Sequence, residues 1–180
     1  AMKHVGPARV QLGIRTIFNL LGPLSNPAFV KRQMVGVFDK KWLHPFAEAL
    51  NKMGSSHAWI VHGRDGLDEV SISDKTDVVQ LKNGVIKELV IEPEEYGYKK
   101  VKLETIKGGD PKYNALELRS LLEGKEGPYK DIVLLNSAAA MLGSGHEKEF
   151  GQALNKSKKS LESGKALKKL DGLISITNNQ

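Results

Sequence analysis

The sequence predicts an α/β fold, a largely parallel sheet flanked by helices, on three observations. Residues 33–38 (QMVGVF) and 57–62 (HAWIVH) are apolar runs of strand length. A helical pattern separates them, and strand, helix and strand at that spacing make a βαβ unit with a parallel, right-handed crossover. Beyond it lie short alternating segments and then several helical patterns, so helices are available to cover a sheet.

The first element is residues 13–28, GIRTIFNLLGPLSNPA. It begins as a helix, with Ile14, Ile17, Phe18 and Leu21 at helical spacing, and is expected to break at Gly22-Pro23 and again at Asn26-Pro27. Arg9 and Arg15 frame it with cations. After the first strand, Asp39 opens a helix whose Leu43, Phe46, Ala47 and Leu50 share one face. Pro45 is tolerated early in it, and Gly54 closes it as a cap. The second strand follows. Residues 69–73, 77–82 and 85–91 alternate as strands, and Asn83-Gly84 joins the last two as a two-residue hairpin turn. Asp110 and Pro111 start a helix as N-cap and first residue, carried by Leu116, Leu118, Leu121 and Leu122 and ended by Gly124. DIVLLNSAAAML, 131–142, is apolar nearly all round and reads as a buried helix. An amphipathic helix spans about 147–162 on Phe150, Ala153, Leu154 and Leu161, and after Gly164 a last one runs to about residue 173.

Composition bounds the function. The chain has 180 residues, 40% hydrophobic and 27% charged, enough for one domain with a core of its own. It contains no cysteine, which excludes disulfides and thiolate metal sites and suits a reducing compartment. No apolar run approaches a membrane span, and the start, AMKHVGPAR, lacks a signal-peptide layout. The net charge is +6, with lysines 156, 158, 159, 165, 168 and 169 alternating with Leu and Ala at helical spacing. Arginines and aromatics are missing among them, so they read as a solvated helix face and not as a nucleic-acid surface.

Candidate chemistry is sparse. The five histidines do not fall into metal-ligand spacing, no serine sits in a nucleophile elbow, and His62, at the end of an apolar strand, reads as structural. HGRDGLDEVS, 62–71, is the suggestive stretch. It leaves a strand, turns through Gly63 and Gly66, and presents Asp65, Asp68 and Glu69 where α/β sheets bind ligands. Carboxylates there suit Mg²⁺ shared with a substrate phosphate; acidic residues of a turn can equally be solvated or cap the next element.

GIRTIFNLLGPLSNPA, VHGRDGLDEVSIS, KGGDPKYNA and LLNSAAA, in that order, resemble anthranilate phosphoribosyltransferases over essentially the whole chain. The resemblance implies a pentosyltransferase (glycosyltransferase) of tryptophan biosynthesis. Such an enzyme transfers the phosphoribosyl group of phosphoribosyl diphosphate to the amine of anthranilate. It is cytoplasmic, uses Mg²⁺ and is a homodimer when full-length. Family members are about twice as long, and their Gly-rich diphosphate loop has no counterpart here. The chain is therefore similar to the C-terminal part alone, entered at Ala1-Met2, and by itself is expected to be inactive; a naturally short relative is the alternative. Residues 1–25 correspond to a helical segment that in the family belongs to a separate helical domain and the dimer surface. Residues 26–180 correspond to the C-terminal part of the α/β domain. Arg9 matches the arginine that holds the anthranilate carboxylate, and Gly22 and Pro23 match the wall of the same pocket. Asp68 and Glu69 match the acidic pair that ligates Mg²⁺. Two other readings stand beside this one: a pyrimidine-nucleoside-phosphorylase-like enzyme of the same fold, and a non-enzymatic α/β binding module.

Overall fold

A computed structural model describes residues 2–14 and 16–178, with the backbone alone at residues 2–5 and at Arg9. Ala1, Arg15 and the side chain of Arg9 lie outside the described residues. Two helices come first, α1 (Met2–Leu12) and α2 (Phe18–Leu24), then strand β1 (Arg32–Gly36), helix α3 (Leu43–Lys52) and strand β2 (His57–Gly63). Strands β3 (Thr76–Lys82) and β4 (Val85–Ile91) follow, and helices α4 (Pro111–Leu122), α5 (Pro128–Gly143), α6 (Phe150–Glu162) and α7 (Lys165–Asn178) complete the chain.

The four strands form one sheet in the order β1-β2-β3-β4. β1 and β2 are parallel, in register from Arg32 opposite His57 to Gly36 opposite Val61, as the βαβ pattern predicts. β2–β3 and β3–β4 are antiparallel. The sheet is thus mixed, and its parallel character is confined to the first pair. The reason is in the links: no helix lies between β2 and β3 to return the chain, and a hairpin joins β3 to β4. Asn83 and Gly84 both take positive φ, 48° and 83°, as that turn requires.

Both faces of β2 are buried, which is why it reads as a continuous apolar run. Ala58 and Ile60 join Val79, Leu81 and the α3 side chains Leu43, Phe46, Ala47 and Leu50 on one face, where Leu20 of α2 also packs. Trp59 and Val61 face the other way, into a cluster with Val78, Leu135, Ala138, Phe150 and Leu154 of β3, α5 and α6. The result is a helix–sheet–helix sandwich.

Local signals hold where they were strongest. Gly54 has φ 78°, and the Ser55 N–H reaches the Leu50 carbonyl at 2.9 Å to close α3. Asp110 caps α4 by accepting the Tyr113 N–H at 2.8 Å. Asp39 accepts the Lys41 N–H at 3.1 Å, starting a 3₁₀ turn that leads into α3.

Three expectations change. Residues 69–73 are not a strand, although Val70, Ser71 and Ile72 are fully buried. Their backbone is bonded by side chains instead of a ladder: Val70 by Asn136, and the Ser71 N–H by the Thr76 hydroxyl at 2.9 Å. The apolar stripe from Ile14 is helical only from Phe18, and Ile14 and Ile17 are 67% and 63% exposed. Gly13, at φ 60°, ends α1 in a left-handed turn ahead of it. Gly22-Pro23 is not a break but part of α2. Pro23 has no N–H to bond the Asn19 carbonyl, and α2 ends one residue later, at Leu24. The turn at Asn26-Pro27 does form, with the Ala28 N–H on Asn26 Oδ1 at 2.9 Å.

Candidate functional site

The carboxyl ends of β1 and β2 lie side by side, and the chain leaving β2 folds back over the end of β1. Gly63 donates its N–H to the Leu67 carbonyl at 2.8 Å, and the Gly66 N–H reaches the Gly63 carbonyl at 2.9 Å. Gly66, at φ 98°, supplies the reversal that brings the chain back toward the end of β1. Asp65 is not a free carboxylate. It accepts the Leu67 N–H at 3.2 Å and the Ser71 hydroxyl, while Ser71 Oγ accepts the N–H groups of Ser73 and Asp74. That set braces the loop from within.

Gly36, the last residue of β1, makes the closest approach. A Cβ there would lie 1.6 Å from the Asp68 carbonyl oxygen, so only glycine lets the loop sit against the strand end. Asp68 and Glu69 follow on the solvent side, both exposed. Neither has an ion-pair partner among the described residues. Surrounding protein atoms still crowd the Glu69 carboxyl, and this desolvation, helped by the charge of Asp68, pushes its pKa up.

Two like charges held without a counter-cation suit a hard divalent cation. Among the described residues, however, no three His, Asp or Glu side chains gather as a metal cage. Two carboxylates with the remaining ligands drawn from water and a phosphate is an arrangement Mg²⁺ accepts, so the donor set fits that ion.

A cleft of about 190 Å³ opens at this point, lined by Asn19, Leu20 and Pro23 of α2, Gly36, Val37 and Phe38 after β1, Phe46 of α3, and Asp68. It brings Pro23 and Asp68 together. Gly22 sits beside Pro23 in α2 with open space where a Cβ would stand, and Glu69 is next to the cleft but not in its wall. Gly36 carries no sequence signal of a site, and Asn19 lies in the motif of residues 13–28 with no role assigned to it there; the packing of α2 and the 63–69 loop at the strand ends brings both to the cleft. His62 bonds the Val37 carbonyl through Nδ1 at 2.7 Å, tying the end of β2 to the exit of β1.

The base of the loop is pinned by an ion pair. Arg64 meets Asp77 with two hydrogen bonds, 3.2 and 2.8 Å, and Lys40 approaches at 3.0 Å. The Arg64 fork, aided by Lys40 and opposed by burial, holds the Asp77 carboxyl below the ordinary 3.8 of an aspartate. A lowered carboxylate pKa stabilises the fold above its unfolded value and loses that contribution as pH falls through the folded value. Asp77→Asn is therefore expected to be less stable at neutral pH by about 1–2 kcal/mol, the worth of charge-assisted bonds discounted for the exposed partners. Thermal melts of the two proteins should converge as pH drops below 3.8. A gap that persists unchanged in acid would rule out the ion pair as its cause.

Fold and cleft together define an α/β protein with a cleft beyond the carboxyl ends of its parallel strands, the place where α/β sheets bind ligands. A family model described as "Glycosyl transferase family, a/b domain" matches residues 1–167, and the chain belongs to that family. Among its relatives, the anthranilate phosphoribosyltransferase of Azorhizobium caulinodans is 52% identical over 177 residues, 98% of this chain and 52% of that protein. The one from Parvibaculum lavamentivorans is 49% identical over the whole chain and 53% of its own length. The chain thus spans about half the length of the curated relatives it matches. Among solved structures, the Thermus thermophilus anthranilate phosphoribosyltransferase superposes with a TM-score of 0.87 at 39% identity, covering 97% of this chain and 51% of that one. The Saccharomyces cerevisiae enzyme in complex with PRPP and Mg superposes at 0.89 with 32% identity, covering 99% and 52%.

Proposed function

We propose that this chain supplies the acidic loop and one wall of the acceptor pocket of an anthranilate phosphoribosyltransferase. Transfer of the phosphoribosyl group to the anthranilate amine would release diphosphate. The observation that carries the reading is the cleft in which Pro23 and Asp68 meet. It brings together one member of each residue set that the resemblance assigns, Pro23 for anthranilate and Asp68 for metal, within a chain whose relatives bear that enzyme's name.

Anthranilate's own amine is the nucleophile, so no side-chain nucleophile is required. Asp68 and Glu69 would hold Mg²⁺, which supplies charge neutralisation for the departing diphosphate. The apolar side chains of Leu20, Pro23, Phe38 and Phe46 line one side of the cleft and suit an aromatic ring. Arg9, on α1, would meet the planar carboxylate with its guanidinium fork.

Residues 1–25 are read as the interdomain and dimer segment of a homodimeric, cytoplasmic protein, and 26–180 as the α/β part. The exposure of Val10, Leu12, Ile14 and Ile17 supports a covered surface there. Among the described residues no helix is long and apolar enough to cross a membrane.

The test is a chimera in which this chain replaces the matching half of the Azorhizobium caulinodans relative. It should form phosphoribosyl anthranilate from the two substrates. Arg9→Ala in that chimera should raise KM for anthranilate about tenfold or more and leave the Mg²⁺ dependence unchanged, as loss of a charge-assisted binding contact predicts. A folded chimera that transfers to a different acceptor, or phosphorolyses nucleosides instead, overturns the reading.

A further inference from the structure

Asn136 is a carboxamide in the middle of the apolar helix α5, in the run IVLLNSAAAML. Asparagine is a mediocre helix former, and a polar group among apolar neighbours is costly unless bonded. Its bonds run to the acidic loop. Oδ1 accepts the Val70 N–H at 2.9 Å, and Nδ2 donates to the Val70 carbonyl at 2.8 Å and to the Ile132 carbonyl of its own helix at 3.0 Å. The side chain thus pairs with both main-chain groups of Val70, as a neighbouring strand would.

The consequence lies one residue upstream. The Val70 N–H belongs to the peptide that leaves Glu69, and the Asp68 carbonyl belongs to the peptide that enters it. Asn136 holds the first, and Gly36 stands against the second, where a Cβ would lie 1.6 Å from the oxygen. Both peptide planes beside Glu69 are set by remote elements, and with them the direction of its side chain relative to Asp68. We propose that Asn136 is a positioning residue. Its carboxamide fixes the backbone after Glu69 so that the acidic pair presents its oxygens to one divalent cation. This rests on the metal role given to Asp68 and Glu69 above.

Mn²⁺ is the probe, with the full 180-residue chain and inorganic diphosphate as co-ligand. Bound ion is read by electron paramagnetic resonance, and backbone amide exchange is followed in parallel. Asn136→Ala should weaken Mn²⁺ binding by about 10–100-fold, the scale seen when a metal ligand loses its outer partner. Exchange at Val70 should rise while the amides of β2 and β3 stay protected, a separation that general unfolding does not produce. Should that variant fail to fold, Asn136→Asp replaces it, keeping the acceptor for Val70 but losing both donors. Its added negative charge would by itself tighten cation binding, so a weaker Mn²⁺ constant reads position and not charge. Wild-type Mn²⁺ affinity in the folded Asn136 variant overturns the positioning role while the acidic-pair reading stands. If Asp68→Asn with Glu69→Gln binds Mn²⁺ as the wild type does, the metal reading fails and the positioning role falls with it.

Discussion

Replacing Asp68 by Asn together with Glu69 by Gln is expected to lower turnover of the chimera by about 10³-fold, because a metal ion bound at a departing phosphate contributes several kcal/mol and each 1.36 kcal/mol is tenfold. The amides keep the shape of the carboxylates but carry no charge with which to retain Mg²⁺. The fold should not suffer. Both residues are exposed, and substitutions of that kind stay within about 0.5 kcal/mol. The direction is set by the repulsion between the pair, which helps push Glu69 up; removing it leaves the melting temperature equal or slightly higher. A Mg²⁺ titration at saturating anthranilate decides the matter. Wild-type turnover with wild-type Mg²⁺ dependence in the double variant would falsify the metal assignment and return the pair to the status of solvated turn residues.

Gly36→Ala is the second large effect. A single methyl would stand 1.6 Å from the Asp68 carbonyl oxygen and 2.5 Å from its carbon, both backbone atoms that no side-chain rotation moves aside. The loop must lift from the strand end or β1 must shift, and overpacking of this kind costs about 3 kcal/mol or more. For a chain of this size that is a fall in melting temperature of roughly 6–12 °C. Activity in the chimera should fall further than stability predicts, because the displaced atoms carry Asp68. Gly22→Ala is the contrast. A Cβ there meets nothing within 4 Å, so stability should hold and any change should appear in anthranilate binding. Equal stability for Gly36→Ala and the wild type would mean that the close approach does not exist in solution.

These two glycines show how much was legible beforehand. Gly22 belongs to a long motif and was marked as a pocket residue by resemblance; Gly36 sits inside QMVGVF, where nothing local distinguishes it from any small residue of a strand. The acidic pair was legible for a similar reason as Gly22, and Gly66 as a turn residue was readable from its neighbours. The strand expected at 69–73 failed because Val70 and Ile72 alternate with serines as a half-buried strand does. The groups that bond its backbone instead include Asn136, 66 residues further on.

By itself the sequence determined what depends on neighbours along the chain. The Asn83-Gly84 hairpin turn and the ends of α3 at Gly54 and α4 at Asp110 arise from bonds within a few residues, and the elements of the βαβ unit are encoded by residue periodicity. The tertiary structure alone decided that β3 pairs antiparallel with β2, that Ile14 and Ile17 stay exposed, and that Pro23, Gly36 and Asp68 share one cleft. Each of those depends on where an element lands after the chain has crossed the core. Close approach and side-chain-to-backbone bonding are properties of that landing, and a linear pattern of apolar and polar residues leaves no trace of them until the core is packed.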